Sequence, residues 1–173
     1  MKNNRMSTKR LTLLALSVAI AMIFSYVELL LPSFSNIAPG LKIGLPNIVI
    51  ISILYIFGTK DAAIVSFIRV FLVTLVFVPS FIIIIYSLAG AVLSLVVMSF
   101  LKWTGKFSMV FVSIMGAISH NVAQIALFML ISQTEEVISY LPFLMIGGVF
   151  SGLAVGIIAF FSHRYVKSLY EKS

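Results

Sequence analysis

An all-α integral membrane protein, one bundle of six transmembrane helices with both termini cytoplasmic, is the fold class this sequence predicts. Three observations predict it. The 173 residues are 61% hydrophobic and only 10% charged, with a mean hydropathy of +1.18, whereas a soluble domain is about a quarter charged. The apolar residues fall into six runs, each near the roughly 20 residues that a spanning helix needs. If all six cross, ten of the twelve Lys and Arg residues lie on one side, which marks that side as cytoplasmic.

Taken in chain order, residues 1–10 are a basic N-terminus carrying Lys2, Arg5, Lys9 and Arg10. Span 1 covers about 11–31; it is too long for the short core of a signal peptide, so no cleavable signal is expected. "LPSFSNIAPG", with two prolines and a glycine, ends it. Span 2, about 42–58, opens with "PGLKIGLPNIVI", where Gly44, Pro46 and Asn47 interrupt the helical pattern. Backbone groups freed there at membrane depth must be satisfied by protein or by a lined cavity, so a non-ideal helix start is expected, with Lys42 at its mouth.

The polar turn "GTKD", holding Lys60 and Asp61, leads into span 3 at about 61–78. Pro79 in "VPS" separates it from span 4, about 81–101. The basic "KWTGK", with Lys102 and Lys106, precedes span 5 at about 108–132, and the acidic "SQTEEV" precedes span 6 at about 139–163. Arg164, Lys167 and Lys172 then give a basic C-terminus over 164–173. The transmembrane domain is therefore 11–163. No strand-like alternation persists over barrel-like segments, and a helical bundle is the other architecture that satisfies its own backbone in lipid.

Composition also excludes functions. A net charge of +7 suits nucleic acid, but here it is spread over four short segments as a topology signal, so no nucleic-acid partner is expected. The absence of Cys removes disulfides, thiolate metal sites and Cys nucleophiles. There is no Walker motif, zinc-binding H-E-x-x-H, nucleophile elbow or Gly-rich nucleotide loop. Prenyl-diphosphate chemistry requires clustered aspartates to hold Mg²⁺, and the chain has one aspartate, Asp61, in the turn before span 3. The sequence therefore predicts neither an enzyme nor a bound cofactor.

Four ionisable residues lie in or near the apolar zone: Glu28, Lys42, Arg69 and His120. Arg69 is eight residues past Asp61, roughly 12 Å along its helix. An Arg at mid-membrane costs from about 2.5 to more than 10 kcal/mol, so it must face the bundle interior or a cavity. Its planar fork suits a carboxylate or phosphate; the plainer role is a strut tied to Glu28 or to helix-end carbonyls. In span 5, "GAISHNVAQIALF" places His120, Asn121 and Gln124 at helical spacings of three and four, hence in one patch. Ser113, Gly116 and Ala117 extend that stripe. One such polar residue serves as interhelical glue, but three beside an Arg read as the wall of a polar pocket. Asn47, Glu28 and Tyr26, near the outer ends of spans 2 and 1, are candidates to flank it, although Glu28 and Tyr26 also suit an interfacial belt.

Two faces carry small residues. Ala15 and Ala19 stand one turn apart on span 1, and Gly148, Gly152 and Gly156 form a four-residue ladder on span 6. Helices approach closely along such seams. Packing inside the bundle is expected for span 6, while span 1 suits either packing or a partner subunit.

"PGLKIGLPNI", "SFIRV", "YSLAGAVLSL" and "GAISHNVAQI" together resemble the membrane family labelled heptaprenyl diphosphate synthase component I or Gx transporter. The resemblance covers nearly the whole chain. That family in turn resembles the substrate-binding S components of energy-coupling factor (ECF) transporters, six-helix proteins that capture a micronutrient on the outer side. The resemblance implies separate partners: a transmembrane coupling subunit and a pair of ATPases. It also implies that Ala15 and Ala19, matching an alanine-x-x-x-alanine pattern on the first helix, contact the coupling subunit.

The expected function is thus a substrate-binding subunit of an ATP-driven importer in a bacterial cytoplasmic membrane. Its substrate is a small, anionic or polar-aromatic micronutrient held by Arg69, with His120, Asn121, Gln124, Asn47 and Glu28 around it. The alternative is a non-catalytic membrane subunit associated with a heptaprenyl or polyprenyl diphosphate synthase. A third reading is a secondary transporter acting alone, in which His120 and Glu28 titrate.

Overall fold

The computed structural model describes residues 8–30, 44–77, 79–133 and 135–172, without the side chains of 135, 136 and 166–172. Lys42 and the "LPSFSNIAPG" break lie outside these residues. Six α-helices follow one another: α1 (Thr8–Leu30), α2 (Asn47–Ile56), α3 (Thr59–Phe77), α4 (Phe81–Thr104), α5 (Met109–Ser132) and α6 (Leu141–Lys172), the last preceded by a 3₁₀ segment, Glu135–Tyr140. No strand occurs among the described residues.

Among the described residues, four segments are long and apolar enough to cross a membrane by length and composition: Thr8–Leu30, Phe81–Thr104, Met109–Ser132 and Val137–Tyr165. Their outward faces are apolar as well, with Leu130 77% and Phe150 69% exposed. In water such a surface is an aggregation hazard, whereas lipid is its proper solvent. This is a membrane protein.

The other two helices explain why sequence boundaries were harder there. The second apolar run narrows to α2, a 10-residue helix. Pro46 caps it and Gly44 precedes it at φ +75°, a left-handed conformation that glycine adopts without a Cβ penalty. The Asn47 N–H donates to the Gly44 carbonyl at 2.8 Å. The irregular start predicted from "PGLKIGLPN" is therefore a turn that delays the helix to Asn47. α3 is 19 residues long but carries Lys60, Asp61 and Arg69. Asp61 is not a turn residue: it sits in the first turn of α3, 2% exposed, and pairs with Arg10 of α1 at 2.6 Å. An acidic residue in a first helical turn also meets the positive end of the helix dipole.

α5 is packed on both sides, against α4 and against α6. The glycine ladder of α6 makes the second contact close. A Cβ on Gly152 would lie 2.6 Å from Ile114 Cα, and one on Gly156 2.8 Å from Val110 Cα. That seam is internal packing, as the small-residue rule anticipates. α2 inserts against α3 and α6, while α1 leans mainly on α3. The core concentrates around Ile50, Ile51, Leu54, Val65 and Val112. At the end of the short α2, Lys102 of α4 donates to the Leu54 carbonyl and its ammonium lies 5.2 Å above the Tyr55 ring. A cation there satisfies a helix-end carbonyl and complements the helix dipole.

Candidate functional site

A cavity of about 290 Å³ opens between the helices, and Arg69, His120, Asn121, Gln124, Asn47 and Glu28 all line it. These are the six residues singled out above, drawn from α1, α2, α3 and α5. The volume is at the small end of ligand sites, which run from about 300 to 1,000 Å³.

Each wall has a local reason. α5 turns its polar stripe inward because its other faces are committed to α4, α6 and lipid. His120 lies against α4 where Gly90 leaves room: a Cβ on Gly90 would fall 2.6 Å from the ring Cε1 and 2.8 Å from each ring nitrogen. Asn121 is buried, and its amide nitrogen donates to the Leu144 carbonyl of α6 at 2.9 Å. Asn121 thus ties two helices together as well as facing the cavity, so the glue role weighed for this patch is real for that residue.

At one end of the cavity, the Gly44 N–H donates to Glu28 Oε1, which joins the start of α2 to α1. Arg69 is half-buried and faces the cavity. Its Nε is closed off and has no hydrogen-bond partner among the described residues. Glu28 attracts the guanidinium electrostatically, yet that carboxylate also accepts from Gly44. A guanidinium carries five N–H donors and no acceptor. Leaving the closed-off Nε unpaired costs about 1–3 kcal/mol, and a cavity anion suits the part of the fork that lines the cavity.

Several lining residues escaped sequence reasoning. Ser25 and Thr74 face the cavity, and their hydroxyls donate at 2.8 Å to the carbonyls of Ala21 and Val70. Such back-bonding spends the donor and leaves an oxygen acceptor. Ser87 and Ser151 line the site too. A lone serine in an apolar helix carries little signal; Ser25 alone had a cue, three residues before Glu28 on α1. Tyr26 does not join them: it is exposed and packs its ring, tilted, against Phe77 with centroids 5.0 Å apart. Ala15 and Ala19 are exposed on α1, away from the cavity.

The family model described as heptaprenyl diphosphate synthase component I matches residues 17–161. The chain belongs to the heptaprenyl diphosphate synthase component I family. The match contains every lining residue of the cavity named above, so the site lies within the part of the chain shared with the component I family. Ala15 and Arg10 fall outside the matched range. No curated protein and no solved structure matches the chain.

Proposed function

We propose that this chain is the substrate-binding membrane subunit of an ATP-driven importer of the energy-coupling factor kind. Its substrate is a small anionic or polar-aromatic micronutrient. The observation that carries this reading is the Arg69 guanidinium at the cavity wall, with His120 and Gln124 lining the same cavity. A fixed strut to Glu28 would use the fork without needing a cavity beside it.

The charge pattern supports six crossings. Lys60, Lys102, Lys106 and Arg164 then share the cytoplasmic side with both termini. In that orientation the end of the cavity at Glu28 and Gly44 lies toward the outer side, from which uptake proceeds. Substrate capture leaves the energy source to partners, and the exposed Ala15 and Ala19 supply a small-residue face on α1 for a membrane-embedded coupling subunit. ATP hydrolysis belongs to ATPase subunits bound to that partner, in a bacterial cytoplasmic membrane.

Affinity purification of the tagged chain from its native membranes, with identification of what remains bound, tests the reading. A membrane coupling protein together with paired ATPases supports it. A stoichiometric soluble, aspartate-rich prenyl synthase would replace it with the accessory-subunit role.

A further inference from the structure

The cavity is not equally polar along its length. Arg69, His120, Gln124, Asn47 and Glu28 gather toward one end. The opposite end is lined by Met98 of α4, by Ser113, Gly116 and Ala117 of α5, and by Gly152 and Val155 of α6. Interhelix contacts fix these levels. A Cβ on Gly116 would lie 2.6 Å from Met98 Sδ, and one on Gly152 would lie 3.1 Å from the Ser113 carbonyl oxygen. Nearer the Glu28 end, Gly90 meets His120 and Gly148 meets the Asn121 amide.

Ser113 and Gln124 both line the cavity and are eleven residues apart in α5, roughly 16 Å along the axis. A volume of about 290 Å³ drawn out over that length is a shaft rather than a round chamber. Below His120 the shaft continues for seven residues of α5, roughly 10 Å. With Ser151 of α6, the side chains there offer two hydroxyls and one thioether, and glycines keep the walls thin. A compact polar ring held by Arg69 and His120 would leave this pit unfilled. Water is a poor tenant, since a bound water needs about three hydrogen bonds, and an unfilled void forfeits dispersion contacts.

We infer that the substrate is a head-and-tail molecule, with an anionic head, carboxylate or phosphate, against Arg69 and a slender apolar chain running down into the pit between α4, α5 and α6. The inference rests on the reading of Arg69 as an anion anchor and narrows its substrate class.

The test uses two probe series on the full chain in lipid nanodiscs, with empty nanodiscs correcting for partition into lipid. One series is butanoate, hexanoate, octanoate and decanoate; the other is butyl, hexyl and octyl phosphate; benzoate stands for a compact ring. The tail predicts that affinity in at least one series rises about fourfold per methylene and levels off once the chain exceeds the pit. Whichever series shows the rise identifies the head. Ala117→Leu and Val155→Phe fill the pit from different helices, and either one flattens the rise, whereas Arg69→Leu weakens every member together. A flat series in the wild-type protein, with benzoate the tightest binder, overturns the tail while the anion anchor stands. A rise that persists in both filled variants overturns it as well. No binding by any member of either series overturns the tail and the anion anchor together.

Discussion

The imidazole of His120 occupies the space a side chain at Gly90 would take, so close that a single methyl there would come within 2.6 Å of the ring. This glycine on α4 therefore sets the position of a cavity residue on α5. Gly90→Ala forces either the ring into the cavity or the two helices apart. Overpacking of this kind costs typically 1–3 kcal/mol, a thermal-midpoint loss of a few degrees in a chain of this size. The His120 ring resonances in a ¹⁵N–¹H spectrum will move while helix content by circular dichroism stays unchanged. Unmoved resonances would show that Gly90 does not position the ring.

The pair formed by Arg10 and Asp61 predicts an asymmetry. Asp61 is almost fully buried and Arg10 more than a third exposed. Arg10→Ala strands a buried carboxylate, a loss near the low end of the several kcal/mol seen for broken buried pairs, about 2–3 kcal/mol after allowing for Arg10's exposure. Asp61→Asn lets Arg10 turn to water and costs about 1 kcal/mol. Thermal unfolding of the two variants in one detergent checks the order, and equal losses would contradict it.

The two small-residue seams of this chain behave differently, and α1 carries the functional prediction. Ala15→Trp and Ala19→Trp project onto an exposed face, so each shifts stability by no more than about 0.5 kcal/mol. Both abolish co-elution with a coupling subunit in size-exclusion chromatography. Normal co-elution of the two variants would remove this face from the partner interface.

The seams also show what was legible in the sequence. Ala-x-x-x-Ala and Gly-x-x-x-Gly look alike on paper, and only neighbouring helices decide which one is covered. Helices α3 to α6 were legible because breakers and charges bracket them, and the inward polar stripe of α5 because a 3.6-residue period brings His120, Asn121 and Gln124 together. The short α2 was less so: the apolar run continues past the point where Pro46 and Gly44 hold the chain in a turn. Gly90 and Thr74 were invisible, since a glycine or threonine in an apolar helix acquires meaning only from what lies across from it. The buried position of Asp61 was hidden because its partner Arg10 is 51 positions away.

The proposed function turns on Arg69 as the anchor of a small anionic or polar molecule in the cavity. Native mass spectrometry of gently purified protein, wild type beside Arg69→Leu, tests it most directly. A discrete small-molecule adduct is expected on the wild-type chain and lost from the variant, with both proteins equally folded. An adduct retained at the same occupancy by Arg69→Leu would contradict it and return Arg69 to the role of a structural strut.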